Sequence, residues 1–87
     1  MRLVRVSAVW CPSCLVTVKD WKKIQAEVSD LMYEEWDYDF DPQVKEYQVG
    51  TILPVHLLLD GDKEIGRLVG EKNYKELFQF LKDDSIL

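Results

Sequence analysis

The stretch Pro54-Val55-His56-Leu57-Leu58-Leu59 leaves this chain few options. It is almost continuously apolar and too short for a stable helix, so it predicts a strand covered on both faces. Asp60-Gly61 follows at once, a pair that favours a tight hairpin, and Ile65–Val69 supplies the returning strand. Those two strands must run antiparallel. The first half of the chain demands the opposite. Residues 2–9 are rich in β-branched and small apolar side chains, which suits a strand. From Cys11 onward Thr17, Val18, Trp21, Ile24, Gln25 and Val28 share one side of a helical wheel with Cys14, while Lys19, Lys22 and Lys23 lie toward the other. Leu31–Tyr38, with aromatic residues at 33, 36 and 38, predicts another strand. A strand-helix-strand opening calls for a right-handed crossover and parallel pairing. The sheet is therefore expected to be mixed.

Two further helices complete the pattern. Asp41-Pro42 predicts an N-cap followed by proline in the first helical position, opening a short helix with Val44 and Tyr47 inward that stops at Gly50. Asn73 and Glu76 have capping-box spacing, and Tyr74, Leu77, Phe78 and Leu81 form one apolar stripe ending near Asp83. Asp84–Leu87 is expected to fray. The expected class is α/β, in the order βαβαββα, with a four-stranded mixed sheet and helices on both faces to bury all three stripes. With 87 residues and 47% apolar composition, residues 1–87 can build one modest core and one domain.

Charge and cysteine usage narrow the function. The formal charge is -5, with acids gathered at Glu34, Glu35, Asp37, Asp39 and Asp41, which repels phosphate backbones. Nucleic-acid binding is not expected. The acidic run is expected to be a solvated strand end and loop. No apolar run approaches the roughly 20 residues that cross a bilayer, and residues 1–8 are too short for a secretory signal. A soluble cytoplasmic protein is expected, with no membrane partner. The only two cysteines, Cys11 and Cys14, are three positions apart, so a bond between them closes almost no loop and adds little stability. Such a pair points to redox or metal chemistry.

Cys11-Pro12-Ser13-Cys14 stands where a strand hands over to a helix. The first sulfur then lies near unpaired helix amides, which favour a thiolate. Pro12 suits the first helical position, where its missing donor costs nothing. Cys14 follows one turn later, within reach of a mixed disulfide formed at Cys11, so the spacing supplies a nucleophile and a resolving thiol. Two other readings stay open: a redox-sensitive interaction module without catalysis, and a dithiol metal site, for which His56 is the only histidine available as a further ligand.

Trp10-Cys11-Pro12-Ser13-Cys14 resembles the active-site motif of the thioredoxin and glutaredoxin superfamily, with Pro-Ser in place of Gly-Pro. Asp41-Pro42, twelve residues before the Ile52-Leu53-Pro54 segment, is similar to the register that leads to the family's cis-proline, and Gly70 resembles its glycine beside the active site. The resemblance covers nearly the whole chain and implies a thioredoxin-like fold and a thiol-disulfide oxidoreductase. It implies Cys11 as nucleophile, Cys14 as resolving thiol, and a substrate rim of Trp10, Pro12, Ser13, Leu53, Pro54 and Gly70. The partners implied are disulfide-containing proteins and a thiol or flavin-dependent reductase, with a monomeric chain and no cofactor or metal. Thioredoxins carry a buried aspartate where this chain has Arg5, and a partner lysine where it has Glu35. Leu53 and Gly70-Glu71-Lys72-Asn73 differ from the glutaredoxin pattern, so glutathione is not the implied reductant. Cys14 still needs a route for its proton. Strand alternation suggests that Glu35 and His56, with Arg5 balancing charge, form a polar relay behind it.

Overall fold

Leu3, Val4, Arg5 and Val6 are all buried, and a strand buried on both faces belongs in the middle of a sheet. The computed structural model describes residues 1–84 and places this strand, β1 (Arg2–Ser7), between two others. After it come α1 (Pro12–Val16), α2 (Val18–Glu27), β2 (Met32–Asp37), α3 (Gln43–Glu46), β3 (Val55–Asp60), β4 (Lys63–Val69) and α4 (Tyr74–Asp83). The sheet order is β2-β1-β3-β4. β1 pairs parallel with β2 and antiparallel with β3, and β3 pairs antiparallel with β4. The α/β class and the mixed four-stranded sheet match the expectation. Of the tail expected to fray, residues 85–87 lie outside the described residues, and Asp84 caps α4.

Alternation along the strands sorts the core into two layers. Val4, Val6, Trp36, Val55, Leu57 and Leu59 pack with Val44 of α3 on one face. Leu3 and Leu58 pack with Trp21 and Ile24 of α2 and with Leu77 and Leu81 of α4 on the other. α4 begins with the capping box expected from Asn73 and Glu76. This box satisfies amides that the first turn cannot, typically for about 1 kcal/mol.

Four local expectations are corrected. The single long helix after Cys11 is broken at Thr17, whose φ of -94° and ψ of 5° separate α1 from α2. β-branching at Val16, Thr17 and Val18 crowds this turn, and the Thr17 hydroxyl donates to the Ser13 carbonyl at 2.8 Å instead of leaving the backbone to continue undisturbed. Asp41 does not cap α3: its carboxylate accepts from the Asp37 amide at 2.7 Å, and Pro42 occupies the cap position. α3 ends before Gly50, with Gln48 taking the left-handed conformation at φ 53°. The hairpin turns on Gly61 and Asp62, one residue later than expected, because Asp60 pairs with Lys63 and Gly61 supplies φ 63°.

Candidate functional site

β3 runs antiparallel to β1, so the start of β3 and the end of β1 meet at one edge: Val55 pairs with Val6 on one side and Val69 on the other. The segments just beyond these residues converge there. Ala8, Val9 and Trp10 lead from β1 into Cys11, which occupies the cap position of α1 with extended φ/ψ of -94° and 110°. Pro12 opens the helix. The Cys14 amide donates to the Cys11 sulfur at 3.2 Å, so the first sulfur serves as the helix cap. Both cysteines are free and buried, and they pack in the α3-side layer with Leu53. The Leu53–Pro54 peptide is cis, and the Pro54 carbonyl accepts from the Gly70 amide at 2.9 Å. Gly70 has φ 93°, a conformation that disfavours a side chain.

Trp10 stands out from this buried group. It is 55% exposed, its indole donates to Asp39 at 2.8 Å, and its ring meets Tyr38 edge-on at 6.0 Å. The tether holds a large apolar surface beside the sulfurs without burying it. Trp10, Pro12, Ser13, Leu53, Pro54 and Gly70 therefore gather at the sheet edge that carries the cysteines.

Behind the cysteines lies a polar rung. Arg5 pairs in register with Glu35 on β2 and with His56 on β3, all three on the α2 and α4 side of the sheet. The Arg5 side chain is only 2% exposed, a costly position for a cation unless it is hydrogen-bonded and paired. Its guanidinium donates to the Cys14 carbonyl and, at 3.2 Å, to the Thr17 hydroxyl, both at the break between α1 and α2. The same group faces Glu35 at 3.5 Å. Glu35 also accepts from the Ser7 hydroxyl at 3.3 Å and is 53% exposed, so it joins the buried cation to solvent. Ser7 was not singled out in the sequence, and Thr17 was named only as part of the apolar helix face. Ser7 stands two residues beyond Arg5 and so shares its face, a signal that alternation provides.

His56 behaves differently. Neither ring nitrogen has a hydrogen-bond partner among the described residues, and the ring packs 5.6 Å from Trp21. Burial, then the charges of Arg5 and Lys72, push its pKa down to about 3, so the imidazole is neutral near pH 7. The Cys14 thiol moves the other way, up to about 11, through burial and a hydrogen bond with Cys11, opposed by the Ala8 backbone and the Arg5 charge. The structure thus brings Arg5 to the Cys14 carbonyl with Glu35 paired to Arg5, and, against the expected relay, leaves His56 packed on Trp21.

A cavity of about 240 Å³ opens beside Cys14, with Arg5, Ser7, Glu35 and Asp37 in its wall. A larger one, about 430 Å³, lies at the opposite sheet end among Arg2, Trp36, Gln43 and Tyr47; no cysteine lines it. The smaller cavity is the chemically relevant one because Cys14 helps to line it. Among the described residues no three His, Cys, Asp or Glu side chains converge where a metal could be held.

No family model matches the chain. It is 26% identical over 83 residues to a thioredoxin of Chlamydia caviae, covering 95% of this chain and 81% of that protein. Among solved structures it resembles thioredoxin from Trypanosoma brucei brucei, with TM-score 0.86, 25% identity, and coverage of 99% of this chain and 75% of that one. A structure of thioredoxin f2 in complex with ferredoxin:thioredoxin reductase shares the fold at TM-score 0.80 and 18% identity, covering 95% of this chain and 76% of the other.

Proposed function

We propose that this thioredoxin-like chain is a disulfide oxidoreductase that exchanges disulfides of protein substrates through Cys11 and Cys14. The observation that carries the proposal is the cap arrangement, in which the Cys14 amide donates to the Cys11 sulfur. A sulfur that already accepts from a helix amide is well placed to hold negative charge. Cys11 attacks one sulfur of a substrate disulfide, forming a mixed disulfide and releasing the first substrate thiolate. Cys14 then attacks the Cys11 sulfur, forming the Cys11–Cys14 bond and releasing the second thiolate. Two electrons pass to the substrate, so a thiol or flavin-dependent reductase must return two to the protein.

Trp10, Pro12, Ser13, Leu53, Pro54 and Gly70 form the rim that the substrate meets. The exposed Trp10 face provides apolar contact, and the Leu53 backbone provides hydrogen bonds for an extended segment. Residues 1–87 act as one domain, as a monomer, in the reducing cytoplasm. The short loop between the cysteines suits that compartment, because their bond serves exchange and adds little to the fold.

Insulin reduction driven by a small dithiol tests the reading. Wild-type protein should accelerate it, Cys11→Ser should abolish the acceleration, and titration against a defined thiol buffer should give a reversible two-electron transition. Equal reduction by wild type and Cys11→Ser would contradict the proposal.

A further inference from the structure

Two exposed apolar side chains, Val9 at 80% and Leu15 at 69%, flank the cavity of about 240 Å³ that Cys14 helps to line. Ala8 and the partly buried Val18 continue the apolar wall, and Ser7, Glu35 and Asp37 make the polar one. Glu35 and Asp37 stand two residues apart on β2, so they share a sheet face roughly 7 Å from one another. The volume falls below the roughly 300 Å³ at which small-molecule pockets begin, and suits one long side chain.

We propose that this cavity receives a lysine or arginine side chain of the disulfide substrate, with its alkyl stem on Val9, Leu15 and Val18 and its charge at Glu35 and Asp37. The assignment rests on the exchange reaction proposed above and names the substrates it favours. Long basic side chains lay an apolar stem along apolar surface and keep a charged end at polar groups, and the two walls match those two parts.

Charge complementarity decides the sign. Arg5 and Ser7 both donate to Oε2 of Glu35, which leaves Oε1 open, and Asp37 spends only Oδ1, on the Asp39 amide. Two carboxylates thus face one arginine. Arg5 is 2% exposed, its terminal nitrogens serve the Cys14 carbonyl, Thr17 and Glu35, and its Nε is shut off from solvent. It offers an acidic side chain no open donor. Among the described residues no other cation lines the cavity.

The cavity also adjoins the rim that the substrate meets. Val9 directly precedes Trp10, whose exposed indole is tethered to Asp39, two residues after Asp37. Leu15 directly follows Cys14 on α1. A peptide joined to Cys11 and lying over Trp10 therefore brings a residue near its own cysteine to Val9 and the carboxylates beyond.

Reduction of disulfide peptides that differ only in carrying lysine, norleucine or glutamate at each position flanking one cysteine tests the subsite. At low salt the wild type should reduce the lysine peptide roughly fivefold more efficiently than the norleucine peptide at one position or two neighbouring ones, the size expected of a half-exposed ion pair, and the glutamate peptide least. The gain should lie in KM rather than kcat, as for a contact made equally before and during reaction, and it should fade in high salt. Glu35→Gln combined with Asp37→Asn should bring the lysine peptide down to the norleucine peptide; asparagine keeps an oxygen for the Asp39 amide. The ratio is read within each variant, so a general loss of activity does not imitate the result. Glu34→Gln, which removes one charge on the opposite sheet face, should keep the preference. Equal efficiency for lysine and norleucine at every position, or a preference that the double variant retains or that Glu34→Gln removes to the same extent, would overturn the subsite while Cys11-dependent exchange stands. Failure of the wild type to reduce any of these peptides would instead remove the exchange reading and this inference with it.

Discussion

Two arginine-glutamate pairs join β1 to β2, one on each face of the sheet, and their surroundings give them different work. Arg2 and Glu34 meet at 2.6 Å with their side chains 26% and 37% exposed. Their hydrogen bond holds the Glu34 carboxyl below the usual carboxylate range and raises Arg2, while the Trp36 indole adds a bond at 3.1 Å. Arg5 and Glu35 stand farther apart, at 3.5 Å, yet Arg5 is buried and donates to the Cys14 carbonyl and Thr17. The shorter pair is the more dispensable one. Exposed ion pairs contribute little because water competes for both partners, whereas removing a buried donor leaves acceptors with no replacement.

The largest effect sharpens the buried side of this comparison. His56 stands beside Arg5 on β3 and has a folded-state pKa near 3 against 6.5 when unfolded. The unfolded chain therefore binds a proton between those values that the folded chain refuses. Stability from the neutral imidazole is fully present above pH 6.5 and declines as pH falls toward 3, by roughly 5 kcal/mol across the window. Denaturant unfolding of wild type and His56→Leu from pH 7 to pH 3.5 should converge in slope only after subtraction of this loss. Parallel pH profiles would show that His56 charges freely in the fold.

Next is Arg5→Met, which keeps apolar bulk but removes the donors. It should cost about 3 kcal/mol through the lost guanidinium bonds to the Cys14 carbonyl and the Thr17 hydroxyl and through imperfect packing, measured by the same unfolding experiment. Arg2→Met should be smallest, less than about 1 kcal/mol, and its effect should fade in high salt. Equal losses at both positions would break the contrast between exposed and buried pairs.

Much of the architecture was legible because its signals are local. The Asp60-Gly61 pair announced the hairpin, Asn73 and Glu76 announced the α4 cap, and alternation in Pro54–Leu59 divided the two core layers. The break at Thr17 was hidden because the apolar period continues across it from Cys14 to Trp21 and Ile24. The Cys14 carbonyl and the Thr17 hydroxyl at this break both accept from Arg5, nine and twelve residues earlier in sequence. Asp41 likewise looked like a helix cap, but tertiary placement gives its carboxylate the Asp37 amide. The cysteine pair and its strand-helix junction were legible, as was the rung of Arg5, Glu35 and His56. Alternation could place those three on one face; it could not tell that Glu35 reaches the cavity while His56 turns against Trp21.

The central claim is that the two buried cysteines have unequal roles, and trapping of a labelled disulfide substrate tests it most directly. Cys14→Ser and Cys11→Ser are each incubated with the substrate, quenched with alkylating agent and resolved without reductant by mass spectrometry. Cys14→Ser should accumulate a covalent complex through Cys11, because the attack proceeds and no thiol remains to release the product, whereas Cys11→Ser should trap none. Equal trapping by both variants, or trapping by Cys11→Ser alone, would contradict the account.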